Sequence, residues 1–86
     1  MRIERIFRPA GVDYKITTSD AEFILTSCGE VAPKEYLLYI WVLPFDQKGS
    51  DMLMAAIAQI TGKEVKAVQW RSDNGHGVVN VDYEEQ

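Results

Sequence analysis

The uncharged segment from Tyr36 to Phe45 constrains the fold of this chain more than any other part of its sequence. All of its residues except Pro44 are apolar or aromatic, so both alternating faces of the segment are hydrophobic. A β-strand that is apolar on both faces belongs in the middle of a sheet covered on both sides, and aromatic and β-branched residues favour a strand over a helix. Because proline cannot donate to a strand ladder, Pro44 ends the strand. We therefore predict a central strand over residues 35–43.

Length and composition predict one soluble domain. A chain of 86 residues has the size of a single domain, and we assign residues 1–86 to one globular unit. Its one cysteine, Cys28, excludes an internal disulfide and favours a reducing compartment. The N-terminal segment lacks the apolar core of a signal peptide, and the longest uncharged run is about half of the length that a membrane-spanning helix needs. We expect a cytoplasmic protein with no membrane partner.

The net charge of −4 argues against nucleic acid as a partner. Proteins that bind nucleic acid usually present a basic face, whereas the nine Lys and Arg residues of this chain are spread along it. Basic and acidic residues are nevertheless concentrated at opposite ends of the chain, in the groups Arg2, Arg5, Arg8 and Asp82, Glu84, Glu85. One interpretation is that the terminal strands run near one another and these charges compensate. The other is an arginine-rich edge that meets an acidic or phosphorylated partner.

Two alternating segments near the N-terminus predict a β-hairpin. Residues 2–8 alternate weakly between apolar and charged side chains, and residues 12–18 alternate more clearly. The tripeptide Pro9-Ala10-Gly11 between them is a turn signal, so we expect the two segments to pair directly.

Residues 19–29 fit two different structures. The string from Ser19 to Glu22 matches a helical capping box, and the apolar residues that follow recur at helical spacing. This makes a helix our first interpretation. Phe23, Ile24, Thr26 and Ser27 are mediocre helix formers, however. The alternative is a strand over 22–28 that pairs with residues 12–18.

A helix is predicted over residues 51–61. Its apolar residues recur near the 3.6-residue period, Ser50 precedes it as the capping residue, and Gly62 follows it as a stop. Such a helix covers one face of a sheet.

The C-terminal part of the chain predicts a second hairpin. Strands over residues 64–71 and 78–83 flank the dipeptide Asn74-Gly75, which tolerates the positive φ angles of a tight turn. Together the elements predict an α+β fold: a mixed, mostly antiparallel sheet of four to six strands with one or two helices packed on it.

No residue pattern indicates catalysis. A nucleophilic thiol needs a base within hydrogen-bond reach, and nothing in the spacing of Cys28 and His76 brings the two together. One histidine and one cysteine cannot make a structural zinc site. We therefore expect no catalytic residues, no metal and no cofactor, and we favour a non-enzymatic role.

The hairpin tip at residues 74–77 offers an alternative function. Glycines flank its histidine, so backbone amides can approach a ligand closely and form an anion nest. With the N-terminal arginines, this tip predicts a protein or enzyme that binds a small anionic ligand or a nucleotide. The simpler interpretation is a flexible tip with an exposed histidine. The candidate anion-binding residues are Arg5, Arg8, Asn74, Gly75, His76 and Gly77.

Aromatic residues of the central segment give the strongest functional indication. Tyr36, Tyr39 and Trp41 are of the type enriched at protein interfaces. If residues 19–28 form a strand, the single helix leaves one face of the sheet open, and an exposed aromatic face needs a partner. We therefore expect a small non-enzymatic protein-interaction module, a regulator or inhibitor that occupies a partner's surface or forms a homodimer. Short acidic chains of this type are common among phage and mobile-element accessory proteins.

Overall fold

A computed structural model describes residues 1–28 and 30–85, with the side chains of Ile40 and Trp41 outside the described part. The elements in chain order are β1 (Arg2–Arg8), β2 (Gly11–Thr17), β3 (Glu22–Ser27), β4 (Glu35–Val42), α1 (Gln47–Thr61), β5 (Val65–Asp73) and β6 (His76–Tyr83). The strands form one sheet in the order β1-β2-β3-β4-β6-β5, and every neighbouring pair is antiparallel. The predicted α+β class is confirmed, with six strands and one helix in the described residues.

The strand β4 lies inside the sheet, between β3 and β6, as the apolar segment predicts. Its side chains Tyr36 and Leu38 are buried on the face that packs against α1. The expectation that both faces are covered is wrong, because α1 is the one helix of the described residues and lies on a single side. Leu37 is half-buried and Tyr39 is exposed on the other side.

The N-terminal hairpin is confirmed, with β1 and β2 in register from Arg2 opposite Thr17 to Arg8 opposite Gly11. Gly11 is required by a close approach to β3: a Cβ atom there would lie 2.1 Å from the carbonyl oxygen of Ser27. The turn therefore combines the fixed φ of Pro9 with a glycine that has no side chain to clash.

Residues 22–27 form the strand β3, so the helix that we took as the first interpretation is wrong. The local polar groups make a turn instead: the hydroxyl of Thr18 accepts a hydrogen bond from the amide of Ala21 at 2.9 Å, and the Thr18 amide donates to the Ala21 carbonyl. From there the chain alternates, with Phe23 and Leu25 fully buried and Ile24 on the opposite face. Ladders to β2 and β4 on both sides satisfy the backbone, which a local capping signal cannot anticipate.

The helix α1 begins four residues before its predicted start. Asp46, not Ser50, is the N-cap, and its carboxylate accepts from the amide of Gly49 at 3.2 Å. The hydroxyl of Ser50 instead accepts a hydrogen bond from the indole Nε1 of Trp70 at 3.0 Å, which links α1 to β5. The predicted stop is confirmed, since Gly62 adopts a left-handed conformation with φ 71°.

The second hairpin is also confirmed, with longer strands than predicted. Asn74 (φ 51°) and Gly75 (φ 86°) both have positive φ, so the turn contains two residues and β6 begins at His76.

The core lies between α1 and one face of the sheet, and its fully buried side chains are Ile16, Phe23, Leu25, Leu38, Leu53, Ala56, Ile57 and Val79. The predicted burial of Leu38 and Ile57 is confirmed; the side chain of Ile40 lies outside the described residues. No helix in residues 1–28 and 30–85 has the length and apolar character needed to cross a bilayer.

Candidate interaction surface

The sheet has one face that no described helix covers. Directly paired residues of neighbouring strands share a face, and successive residues of a strand alternate between faces. Because Leu25 and Leu38 are paired in the core, their neighbours Thr26 and Leu37 point to the opposite side. Following the register across all six strands gives the residues of this side, which we call the open face: Arg2, Glu4, Ile6, Arg8, Asp13, Lys15, Thr17, Glu22, Ile24, Thr26, Glu35, Leu37, Tyr39, Ala67, Gln69, Arg71, Asp73, His76, Val78, Asn80 and Asp82.

The middle of the open face is apolar. Ile24 lies opposite Tyr39, and Leu37 lies opposite Val78, so these four side chains form two adjacent cross-strand rows over β3, β4 and β6. Tyr39 is 38% exposed, whereas Val78 is almost completely covered by its neighbours. Ile6 on β1 is 42% exposed, but Asp13 and Lys15 of β2 separate it from these rows. The four side chains over β3, β4 and β6 form a contiguous apolar patch, which marks an interaction site more often than scattered apolar residues do.

Charged residues surround this patch as neighbouring pairs of opposite sign. The pairs are Arg2 with Glu4 and Lys15 with Glu22, both at 3.5 Å, Arg71 with Asp73 at 3.7 Å, and Arg8 with Asp13. The carboxylate of Asp13 is largely buried, and it also accepts a hydrogen bond from the hydroxyl of Thr26 at 3.1 Å. Each described cation of the open face lies beside an anion, and the face also carries the acids Glu35 and Asp82. Its field is therefore weak and slightly negative, which does not favour an anionic partner.

The N-terminal arginines do not compensate the acidic C-terminus. In the sheet order, β2, β3 and β4 separate β1 from β6, so that interpretation is wrong. Arg2 and Arg8 instead pair with nearby acids, as described above, and the guanidinium of Arg5 lies 5.8 Å from the ring centre of Tyr14 on the core side.

The three aromatic candidates of β4 have different positions. Tyr39 lies on the open face, as the strand alternative for residues 19–28 predicts. Tyr36 does not lie on the open face. It is 1% exposed in the core, so it is not accessible to a partner. The reason is register, because Tyr36 has the same parity as Leu38 and therefore faces α1. The side chain of Trp41 lies outside the described residues, and its backbone belongs to β4.

Tyr36 is unusual in a further respect, because its buried hydroxyl has no hydrogen-bond partner among the described residues. Burial, followed by the nearby phenol of Tyr83, raises the pKa of Tyr36 well above its ordinary value. The two hydroxyls approach each other without reaching hydrogen-bond geometry, and the Tyr83 hydroxyl donates to the carbonyl of Pro33. Tyr36 is thus held neutral in the core.

The predicted anion-binding residues do not form one site. Asn74 and Gly75 make the turn and Gly77 is buried, while Arg5 and Arg8 lie on β1, with three strands between β1 and β6. His76 is half-buried as the first residue of β6, not an exposed residue of the tip.

His76 belongs to the open face. Its ring centre lies 5.7 Å from that of Tyr39, with a tilt of 30° between the two planes. The aromatic part of the open face therefore consists of a tyrosine with a histidine beside it.

Cys28 and His76, the candidate nucleophile and base, lie apart in the structure. Cys28 is an exposed free thiol beyond the end of β3, whereas His76 lies near the row of Ile24, towards the other end of that strand. Among the described residues, no group of three His, Cys, Asp or Glu side chains could hold a metal ion. A shallow cavity of about 480 Å³ near the C-terminus is lined by Lys34, Lys63, Glu84 and Glu85 among others, and it mixes both signs of charge.

No family model, curated protein or solved structure shows significant similarity to this chain. The open face is therefore the basis on which a function can be argued. Sequence reasoning identified Tyr39 but missed Ile6, Ile24 and Leu37. The alternation of Phe23 and Leu25 with Ile24 is the signal that could have found the β3 contribution.

Proposed function

We propose that this protein is a small non-enzymatic protein-interaction module, a regulator or inhibitor that acts by occupying the surface of a partner protein. The open face is the proposed binding surface. The observation that carries the proposal is the apolar patch of Ile24, Leu37 and Tyr39 on the side of the sheet opposite α1.

The size of the open face suits such a role. Six strands spaced about 4.8 Å apart give a sheet about 24 Å wide, and a strand of seven residues is about 23 Å long. The flat area of about 550 Å², enlarged by projecting side chains, approaches the roughly 800 Å² that each partner buries in a standard interface. An apolar centre with a polar rim is also the usual arrangement of protein interfaces.

The charge pattern favours a protein partner over a nucleic acid. The open face pairs its cations with its own anions, and the whole chain carries a net charge of −4. A surface without a strong net field can accept another protein or a second copy of this chain without like-charge repulsion. The proposed class, a regulator or inhibitor of the phage or mobile-element accessory type, rests on length and acidic composition. The proposed location is the cytoplasm, where the free thiol of Cys28 would remain reduced.

The test compares Tyr39→Ser with Val31→Ser, which removes a more exposed apolar side chain (81% against 38%) from the loop before β4, outside the open face. Quantitative capture from cell lysate measures binding of other proteins through the open face. We expect Tyr39→Ser to weaken the capture that the unmodified chain and Val31→Ser share. Thermal melts of both variants show whether the fold is kept.

Two results would overturn the proposal. The first is capture of partner proteins that does not depend on Tyr39. The second is affinity for phosphate or a nucleotide that disappears in His76→Ala, which would establish the anionic-ligand function instead.

A further inference from the structure

The two edges of the sheet differ in how they are protected against pairing with another strand. An outermost strand presents unpaired backbone groups, and natural proteins blunt such edges with bulges, prolines or lysines. On β5 the register shifts between Val65 and Ala67, and Lys66 lies at that irregularity. On β1 the register runs without a shift from Arg2 to Arg8, and the strand contains neither proline nor lysine. Four of its seven residues are charged, so the edge is protected by charge and accepts only a strand whose charges match. The β1 edge is therefore the regular one.

The β1 edge also exposes large apolar side chains. Phe7 is 77% exposed and Ile6 is 42% exposed, on opposite faces of the strand. Of the seven residues of β1, only Ile3 is partly buried. A long, regular edge with exposed apolar residues is a template for an added strand, so the question is which strand fits it.

A second copy of β1 fits in one particular register. When two identical strands pair antiparallel about a two-fold axis perpendicular to the sheet, opposite residues must share a face. With Arg5 opposite itself, Arg2 meets Arg8 of the partner subunit, and like charges directly opposite are destabilising. With Glu4 opposite itself, two carboxylates meet on the axis. Registers centred on Ile3 or Phe7 pair only three residues of β1, namely 2–4 or 6–8, and so leave most of the strand unpaired.

With Ile6 opposite itself, the charges match instead. Glu4 then meets Arg8 of the partner subunit, and Arg5 meets Phe7 of the partner subunit, each twice by symmetry. Arg8 uses its Nε atom for Asp13, and its terminal guanidinium nitrogens stay available as donors. The pair of Arg5 with an exposed aromatic ring allows a cation–π contact.

We infer that two copies of this chain pair through β1 in this register, with Ile6 on the two-fold axis. The resulting sheet has twelve strands, and the open faces of the two copies lie side by side. This inference does not rest on the proposed function, because the β1 edge and the apolar patch around Tyr39 are separate surfaces. A dimer of this kind would offer a partner two copies of the open face.

The register is tested by cysteine cross-linking. In a Cys28→Ser background, Ile6→Cys places two thiols opposite each other on the axis, at a Cβ separation of about 4.5–5.5 Å that needs little adjustment to form a disulfide. Phe7→Cys and Arg5→Cys are the matched controls, because each lies opposite a different residue. Under mild oxidation we expect Ile6→Cys to form covalent dimers roughly tenfold faster than either control. Equal rates for all three, or a faster rate for Arg5→Cys, would overturn the inference.

A second measurement needs no engineered thiol. Glu4→Arg places an arginine opposite Arg8 of the partner subunit on both sides of the axis, and we expect the dimer to weaken about tenfold, since two charge pairs reverse. Glu64→Arg makes the same charge change at an exposed site outside the sheet. Light scattering that shows only monomers of the unmodified chain, or equal effects of the two variants, would refute pairing through β1. Tyr39→Ser should leave the cross-linking rate unchanged, which separates this inference from the proposed function.

Discussion

Replacing Tyr36 by phenylalanine should stabilise this protein, although it removes a polar group from a well-packed core. The hydroxyl of Tyr36 is buried and has no hydrogen-bond partner among the described residues. In the unfolded chain water satisfies that hydroxyl, so folding costs the lost hydration without a compensating bond. Phenylalanine keeps the ring and its contacts and removes that cost.

The expected gain follows from two opposing contributions. An unsatisfied buried polar group costs about 1–3 kcal/mol. The void left by one oxygen atom, about 10–15 Å³, offsets roughly 0.3 kcal/mol of that gain at about 24 cal/mol per Å³. At neutral pH, Tyr36→Phe should therefore raise the free energy of unfolding by about 1–2.5 kcal/mol.

The difference between the two proteins should depend on pH in a defined direction. Burial raises the pKa of Tyr36 in the folded protein, so the folded state keeps this proton at a pH where the unfolded chain, with an ordinary tyrosine pKa near 10, has lost it. The unfolded state then binds fewer protons, and the free energy of unfolding falls as pH rises above about 10. The contribution of Tyr36 is about 1.4 kcal/mol per pH unit, and it is absent from Tyr36→Phe.

Urea unfolding of both proteins between pH 7 and 11 measures these quantities. The matched control is Tyr83→Phe, because the Tyr83 hydroxyl donates to the carbonyl of Pro33 and its loss should cost about 0.5–1.5 kcal/mol at pH 7. The two variants should thus shift stability in opposite directions. If Tyr36→Phe lowers the free energy of unfolding at pH 7, or if its advantage does not widen above pH 10, the hydroxyl has a partner and the reasoning is refuted.

Two further predictions concern packing. Leu38→Ala should lower the free energy of unfolding by about 2–5 kcal/mol, because the residue is fully buried. An unchanged midpoint of urea unfolding would contradict the placement of β4 in the core. Gly49→Ala should destabilise by about 1–3 kcal/mol, although alanine is normally the better helix former, because its Cβ would lie 1.8 Å from the carbonyl oxygen of Pro44. A thermal melt in which Gly49→Ala is more stable than the unmodified protein would contradict this account of the loop before α1.

Much of the candidate site could be anticipated once residues 19–28 are treated as a strand. An open face then follows from one helix and an extended sheet, and Tyr39 belongs to it. The sequence could not show that the charges around that face pair with each other, since Asp13 meets Arg8 and Thr26 only through the pairing of β1, β2 and β3.

The sequence by itself determined the features that depend on local chemistry. A run of aromatic and β-branched residues ending at Pro44 predicts an internal strand, Asn74-Gly75 predicts a two-residue turn, and Gly62 predicts the end of the helix. These signals hold because the backbone preference of each residue acts over a few neighbours, wherever the rest of the chain lies.

The tertiary structure alone decided which face of each strand is buried and whether residues 22–27 are helix or strand. Both faces of the segment from Tyr36 to Phe45 are apolar, so its composition cannot say that Tyr36 faces α1 and Tyr39 faces outward. A capping pattern at Ser19 likewise competes with ladders to β2 and β4, whose hydrogen bonds come from residues distant in the sequence. A helix would also satisfy its own backbone, so burial decides the structure of this segment: as a strand it places Phe23 and Leu25 fully inside the core.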